Sequence, residues 1–423
     1  MKFANEGGKL MNISVHKREA GEAMGLPGPL VGVKAPAPPV IEYWRFSSAG
    51  LDSELVTGMD AVLALETEWR ELEEECGDTV LFQSFDWCAN WIEMQRESGG
   101  KDVPAVAVWR CSGRIAGLLP LKVSRVKRLK VLTGLAEPFQ QYTDMLALKG
   151  MAPERFAATF EKLVRTSGAD FLHLGQVRLD SMLARVIHGI AHPVGEVDHS
   201  PYVPISNWPD FDTYHKTVKS KTRKNMRNSI NRLERTGEVE HEAASSGQLV
   251  REVVQRTFVG RQDWLDRNGI TSRAFQDDDF RRFVGRFAQG KVKGVEVLAM
   301  SLVHDGKPIA DQWGFVYKGR YYAFMSAMDP EYEPVGPGKL HLGEVIKTCF
   351  SRKLKVVDFM IPSVPYKMTW TENQATVTDF SMPVSLRGRL YCEFWLATLR
   401  PLAKQLWMHL PVGLRNLLAR KVF

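Results

Sequence analysis

Glu333-Pro-Val-Gly-Pro-Gly-Lys339 decides how this chain is read, and the segments on either side give it its setting. Upstream, residues 309–317 and 321–328 are apolar-rich and separated by Lys318-Gly319-Arg320, which predicts a β-hairpin. Downstream, residues 339–352 read as a helix and 356–360 as a short buried strand. Gly336 and Gly338 therefore fall at a strand-to-helix junction. Glycines there let backbone N–H groups approach a phosphate, and the helix dipole favours the anion. Pro337 removes one donor but suits a helix's first turn.

Working outward, 423 residues suffice for two or three domains at ~150 residues each. The 44% hydrophobic and 25% charged content is that of an ordinary globular protein. The five cysteines show no Cys-x-x-Cys pair and no metal-ligand spacing, so free thiols in a reducing compartment and no metal are expected. A net charge of +7 favours phosphorylated or polyanionic partners. Residues 1–40 have no apolar signal core and are rich in Gly, Pro and Ala near their end, and they read as a disordered tail. No apolar run is long enough to span a bilayer, and the expected location is the cytoplasm.

Residues 59–76 carry a helical apolar stripe, and Ser84 is placed to cap a helix running through Trp91. A hairpin is expected over 105–123, then a helix at 153–166 and a strand at 171–175. Between them, Glu137-Pro-Phe-Gln-Gln-Tyr-Thr-Asp144 is a polar-aromatic loop. A faint repeat links Ile115-Ala116 with Ile309-Ala310, and Asp170-Phe171 with Asp358-Phe359, at spacings of 55 and 49 residues. It implies two duplicated α/β units, of which only the second has a Gly-x-Gly loop.

Between the units, residues 216–235 hold eight Lys/Arg against Glu234 alone. Val218, Met226, Ile230 and Leu233 give the predicted helix a narrow apolar stripe, and its other faces are cationic. Such a helix is either a solvated face, a phosphate-binding element or a nucleic-acid contact. It lacks the interleaved aromatics of base stacking, so nucleic acid is not the expected partner. From Arg387 onward the chain has seven Lys/Arg, one acidic residue and many large apolar ones. That segment, 387–423, is a candidate amphipathic helix for peripheral contact with a membrane, with packing onto the domain as the alternative.

In order and spacing, several segments resemble the CelD/BcsL-type acetyltransferases of the GNAT superfamily. They are Phe82-Gln-Ser, the block from Ser220 to Arg227, Arg232-Leu-Glu-Arg235 with Gly237, and Asp329-Pro330, followed by the Gly336-Pro-Gly loop, Asp358-Phe359, Tyr366-Lys367 and Trp370. The family's phosphate loop has Gln or Arg where Glu333 stands, and the usual glycine after the Asp-Phe pair is replaced by Ile361-Pro-Ser-Val-Pro365. The chain is also similar to the Fem-type aminoacyltransferases, which are tandem GNAT folds.

The resemblance implies an α/β (α+β) fold of two GNAT-like mixed-sheet domains, 41–204 and 205–386, the second holding the cofactor. It implies acetyl-CoA or another acyl-CoA along Ala327 and Met328 and onto Gly336, Gly338 and Lys339. Asp358, Tyr366 and Lys367 are the catalytic candidates; His341 and Asp311 are further acid–base candidates. Lys221, Arg223 and Arg227 would hold a phosphate of a small or lipid-linked sugar acceptor, with Tyr142 and Asp144 on its sugar. The implied activity is acyl transfer in exopolysaccharide or cellulose production. The alternatives are an aminoacyl-tRNA-dependent transferase and a non-enzymatic nucleic-acid-binding or scaffold protein.

Overall fold

A computed structural model describes residues 45–76, 80–270, 272, 274–399, 406 and 409. The expected tail at 1–40 and most of the C-terminal segment lie outside these residues. The first half runs β1 (Arg45–Ser48), β2 (Leu51–Thr57), α1 (Met59–Leu63), α2 (Glu66–Glu75), α3 (Phe85–Ser98), β3 (Val103–Cys111) and β4 (Arg114–Leu119). It continues with β5 (Leu121–Val126), β6 (Leu129–Gly134), β7 (Leu146–Ala147), α4 (Pro153–Thr166), β8 (Phe171–Arg178), α5 (Met182–Val186) and β9 (His192–Val203).

The second half begins with α6 (Phe211–Thr217), α7 (Ser220–Glu234), β10 (Val239–Ala244), α8 (Gln248–Asn268) and α9 (Asp278–Ala288). Then come β11 (Glu296–His304), β12 (Lys307–Tyr317), β13 (Arg320–Met328), a 3-10 turn (Pro330–Val335) and α10 (Pro337–Ser351). β14 (Val356–Asp358), α11 (Pro365–Met368), β15 (Gln374–Pro383), α12 (Leu386–Leu390) and a π-helical segment (Tyr391–Leu399) close the described chain.

All but two of these strands lie on one path, β1-β2-β3-β5-β6-β8-β15-β9-β14-β13-β12-β11-β10, with β4 beside β3 and β7 beside β4. The order shows a reciprocal exchange. Each half's last strand leaves its own neighbour and joins the other half: β9 pairs with β14, β15 pairs with β8, and the two exchanged strands pair with each other. In each half a hairpin feeds a parallel pair, β6 with β8 and β13 with β14. The result is a tandem mixed α/β architecture of GNAT-like halves.

By register, Val131 opposes Phe171 and Tyr322 opposes Asp358, each two residues into its strand. Asp358 therefore corresponds to Phe171, not to Asp170. The repeat expected from the Asp-Phe pairs is one residue out of step, and one residue turns a side chain to the other face. Asp170 instead caps the next segment, accepting from Lys130 N and Ser385 Oγ.

One core runs through both halves. Trp87 of α3 touches Phe283, Phe287, Phe315 and Phe324, all from the second half. Burying aromatic rings of this size dominates such an interface. Ser84 does cap α3, accepting from Trp87 N. The helix expected over 59–76 is broken at Ala64-Leu65 into α1 and α2.

Candidate active site

β13 pairs with β12 along its whole length, up to Met328 opposite Ala310. On its other edge the parallel ladder with β14 stops at Tyr322 opposite Asp358. Beyond that pair the strands diverge, and among the described residues no strand covers the edge from Ala323 to Met328. β13 also carries a bulge here: two residues, Ala323 and Phe324, stand opposite Gly314. A bulge bends a strand and re-aims its backbone groups. Gly314 is obligatory for this geometry, because an added Cβ would lie 1.9 Å from Tyr322 O.

The wedge closes on Asp329 and the 3-10 turn, then opens α10. Gly336, the α10 N-cap, adopts φ +69. A Cβ added there meets nothing within 4 Å, and one at Gly338 meets only Met328 Sδ at 3.6 Å. The space in front of both glycines is therefore open, and a helix's first turn leaves N–H groups unpaired. These features suit a diphosphate. The charge around them is less favourable: Asp329, Glu331 and Glu333 line the turn. Lys307 neutralises the first two, at 2.7 and 2.9 Å, which leaves Glu333 exposed.

Across the wedge sit the catalytic candidates. The Tyr366 ring is 41% exposed, with its hydroxyl close to Ser326 and to the Arg261 charge. Desolvation of that hydroxyl raises its pKa, so it remains a proton donor at neutral pH. Lys367 is half-buried with its amine enclosed, donating to Met360 O at 2.9 Å and Pro362 O at 3.0 Å. Burial lowers its pKa to about 7; Asp358 opposes that shift and Arg261 adds to it. A neutral amine has two N–H groups and one lone pair, so both hydrogen bonds can persist while the lone pair stays free.

Asp358 is fully enclosed. Its Oδ1 accepts from Tyr142 Oη (2.9 Å), Ser200 Oγ (3.1 Å) and Met360 N (2.9 Å), and Arg320 reaches Oδ2 at 3.1 Å. Asp358 thereby holds the turn after β14, and its charge acts on Lys367. Asp311, another candidate, is bound in a fork by Arg256 at 2.7 and 2.8 Å.

Arg261, on α8, was not singled out by its sequence. The preceding Gly260 presses α8 against β13, where an added Cβ would be 2.8 Å from Ala327 Cβ. Arg261 stacks over Trp264 at 4.4 Å, and its charge acts on both Tyr366 and Lys367. Among the described residues it has no carboxylate partner. A groove of about 360 Å3, lined by Asp263, Asp266, Arg267 and Pro330, opens one turn further along α8.

Tyr142 and Asp144 are buried, contrary to their expected place on a substrate surface. Tyr142 faces Asp358, and Asp144 Oδ1 accepts from Met145 N and Leu183 N. Burial raises the Asp144 pKa to about 6. Lys221, Arg223 and Arg227 lie on α7, whose Met226, Ile230 and Leu233 pack against α10 and its surroundings. α7 crosses α10 at Gly343, where a Cβ would be 3.0 Å from Met226 Cε and 2.7 Å from Trp370. The three cations flank α10 without a bond to Asp358, Tyr366 or Lys367. Only the far end of α7 approaches the turn, through Arg232 near Pro334 O at 3.5 Å.

A family profile described as acetyltransferase (GNAT) domain matches residues 220–368, which contain every element of this wedge. The second half carries a GNAT acetyltransferase domain. That domain is an acyltransferase domain. No curated protein sequence matches the chain. Among solved structures, FemX is similar in fold at TM-score 0.53 and 12% identity, over 78% of this chain and 98% of that one, a likeness that spans both halves. A tandem GNAT protein from the clavulanic acid biosynthesis pathway gives TM-score 0.43 and 13% identity, over 79% and 99%. The C-terminal domain of a putative lysylphosphatidylglycerol synthetase from Agrobacterium fabrum gives 0.46 and 12%, over 79% and 95%.

Proposed function

We propose that the protein transfers an acyl group, acetyl in the first instance, from acyl-CoA to a hydroxyl or amine of a polysaccharide precursor or related glycoconjugate. One observation carries the reading: the open edge of β13, the glycine turn at α10 and the Tyr366–Lys367 pair meet in a single wedge. Gly336, Gly338 and Lys339 would hold the diphosphate, and Ala327 and Met328 the arm leading to the thioester. The CoA thioester supplies an activated acyl carbon.

Neutral Lys367 accepts the proton of the attacking hydroxyl or amine as the new bond forms. Tyr366 gives its proton to the sulfur as the C–S bond breaks, and regains one from solvent. Backbone N–H groups on the open edge of β13 would stabilise the charge that develops on the acyl oxygen. Arg261 keeps Lys367 neutral and the site cationic.

Acetyl-CoA at a hundredfold excess over Kd should stabilise the fold by about 2.7 kcal/mol. Gly338→Trp, which fills the open turn, should abolish that stabilisation and the release of free CoA thiol in the presence of amino-sugar acceptors. An equal shift in wild type and variant would overturn the reading. A second donor is favoured by one feature, the exposed Glu333 in the turn, which weakens affinity for a diphosphate. Aminoacyl-tRNA turnover without CoA would then replace CoA turnover.

A further inference from the structure

Residues 384–399, after β15, are pinned by one face and bare on the other. At Gly388 the α12 backbone lies against Asp170, since an added Cβ would be 1.8 Å from Asp170 O. Cys392 and Leu396, each four residues further on, are buried with Val131 and Phe171, against β6 and β8. Tyr391 stacks on Phe171 at 4.9 Å.

The opposite face carries Leu386, Leu390, Phe394, Trp395 and Leu399, between 41% and 81% exposed. Their spacing of four to five residues matches the wider turn of the π-helical segment and keeps them on one side. Half of the exposed large hydrophobics among the described residues are these five and Leu406. An exposed ridge of this kind marks an interaction surface.

Charge says what it meets. The turn between β5 and β6 brings Arg125, Lys127, Arg128 and Lys130 beside the ridge, with Lys127 Nζ 5.8 Å from the Trp395 ring. Arg387 projects from α12 itself. All five are exposed; the Asp170 carboxylate acts on Lys130 and Arg387, while Arg125, Lys127 and Arg128 form no salt bridge among the described residues. The acidic groups nearby are already engaged: Glu393 pairs with Arg389 at 3.6 Å, and Asp170 is bonded to Lys130 N and Ser385. Large apolar side chains flanked by uncompensated cations, with a tryptophan at the margin, fit the boundary between lipid headgroups and acyl chains. Among the described residues no helix is long and apolar enough to cross a membrane, so such contact would be peripheral.

We infer that the face formed by α12, the π-helical segment and the β5–β6 turn docks on an anionic lipid bilayer. The inference is independent of the donor and acceptor, and places catalysis at a membrane surface.

The test is co-sedimentation of the full chain with vesicles of phosphatidylcholine alone, and of phosphatidylcholine with about one-third phosphatidylglycerol. Wild type should sediment with the anionic vesicles, at least tenfold more than with the neutral ones, and less so at high salt. Phe394→Ser with Trp395→Ser should lose that binding about tenfold, and Lys127→Glu with Arg128→Glu should lose the preference for anionic lipid. Unchanged melting curves would show that both variants fold. Absence of wild-type binding, equal binding to both vesicles, or binding unaffected by either pair would overturn the inference. So would a wild-type dimer that the Phe394→Ser, Trp395→Ser variant dissociates, since a second copy would then cover the face.

Discussion

The Tyr142 hydroxyl, from the first half of the chain, donates to Asp358 Oδ1, from the second, at 2.9 Å. Both residues sit where the halves exchange their last strands, and Ser200 of the exchanged β9 bonds the same oxygen at 3.1 Å. The carboxylate is thereby shared between units 216 residues apart in sequence. Because Asp358 also acts on Lys367, the first half is coupled through this bond to a catalytic candidate of the second.

Removing this link should cost stability non-additively. Tyr142→Phe deletes one of four donors to Asp358, worth about 1.5–3 kcal/mol for a bond to a charged group. Asp358→Ala also strands Arg320, and should cost about 3–5 kcal/mol. In the double variant the tyrosine has no carboxylate left to serve, so the two costs should fail to sum by at least about 1 kcal/mol. Urea unfolding of the four proteins at neutral pH measures this. Simple additivity would show that the bond does not join the halves.

How much of this was legible depended on range along the chain. The hairpin of β12 and β13, the glycine turn, α10 and β14 are local patterns, and they appear within a few residues of where periodicity and turn chemistry put them. The strand exchange is a pairing between segments roughly 180 residues apart, and no local pattern encodes it. That exchange buries Tyr142, whose polar-aromatic surroundings had suggested a surface. Arg261 was missed because a single arginine on a charge-rich helix looks solvated; only the contact of Gly260 with Ala327 brings it to the site. The Asp-Phe repeat misled by one residue, since a two-residue identity carries no register.

Gly336 should be a conformational requirement rather than a packing one. Its φ of +69 is left-handed, and an added Cβ meets nothing. Gly336→Ala should therefore lose about 1–2 kcal/mol in urea unfolding, and Gly336→Asn distinctly less, because asparagine tolerates this region. Equal costs for the two would point to a hidden steric contact instead.

Lys367 should give the enzyme its pH profile. With the amine's pKa lowered to about 7, acid protonates the lone pair needed for proton abstraction. Turnover should rise as pH increases through about 7 and then level. Lys367→Met should lose about 10²–10⁴-fold in kcat and the inflection with it. Lys367→Arg cannot deprotonate and should behave likewise. Stability should move in the same direction: the folded pKa lies below the ordinary 10.5, so the unfolded chain holds the extra proton between those values. Wild type loses stability as pH falls from 10.5 to 7, and Lys367→Met should be spared that loss.

His341, in the first turns of α10, should make the α10 end of the fold acid-labile. It is fully enclosed, and burial, reinforced by His241 at 5.5 Å, lowers its pKa from 6.5 to about 3. Its ring nitrogens meet no partner at hydrogen-bonding geometry, although Met300 backbone lies near. Between pH 6.5 and 3 the unfolded chain therefore binds a proton that the folded chain refuses. Stability should fall with pH across that window by up to about 1.4 kcal/mol per unit from this group alone. His341→Leu removes the group without breaking a bond. Its unfolding free energy should match or exceed that of wild type at pH 7, and its slope between pH 6 and 4 should be shallower by that amount. A parallel slope would mean that the imidazole is already protonated in the folded chain, with Glu344, which acts on neighbouring His241, as the group to examine for its counter-charge.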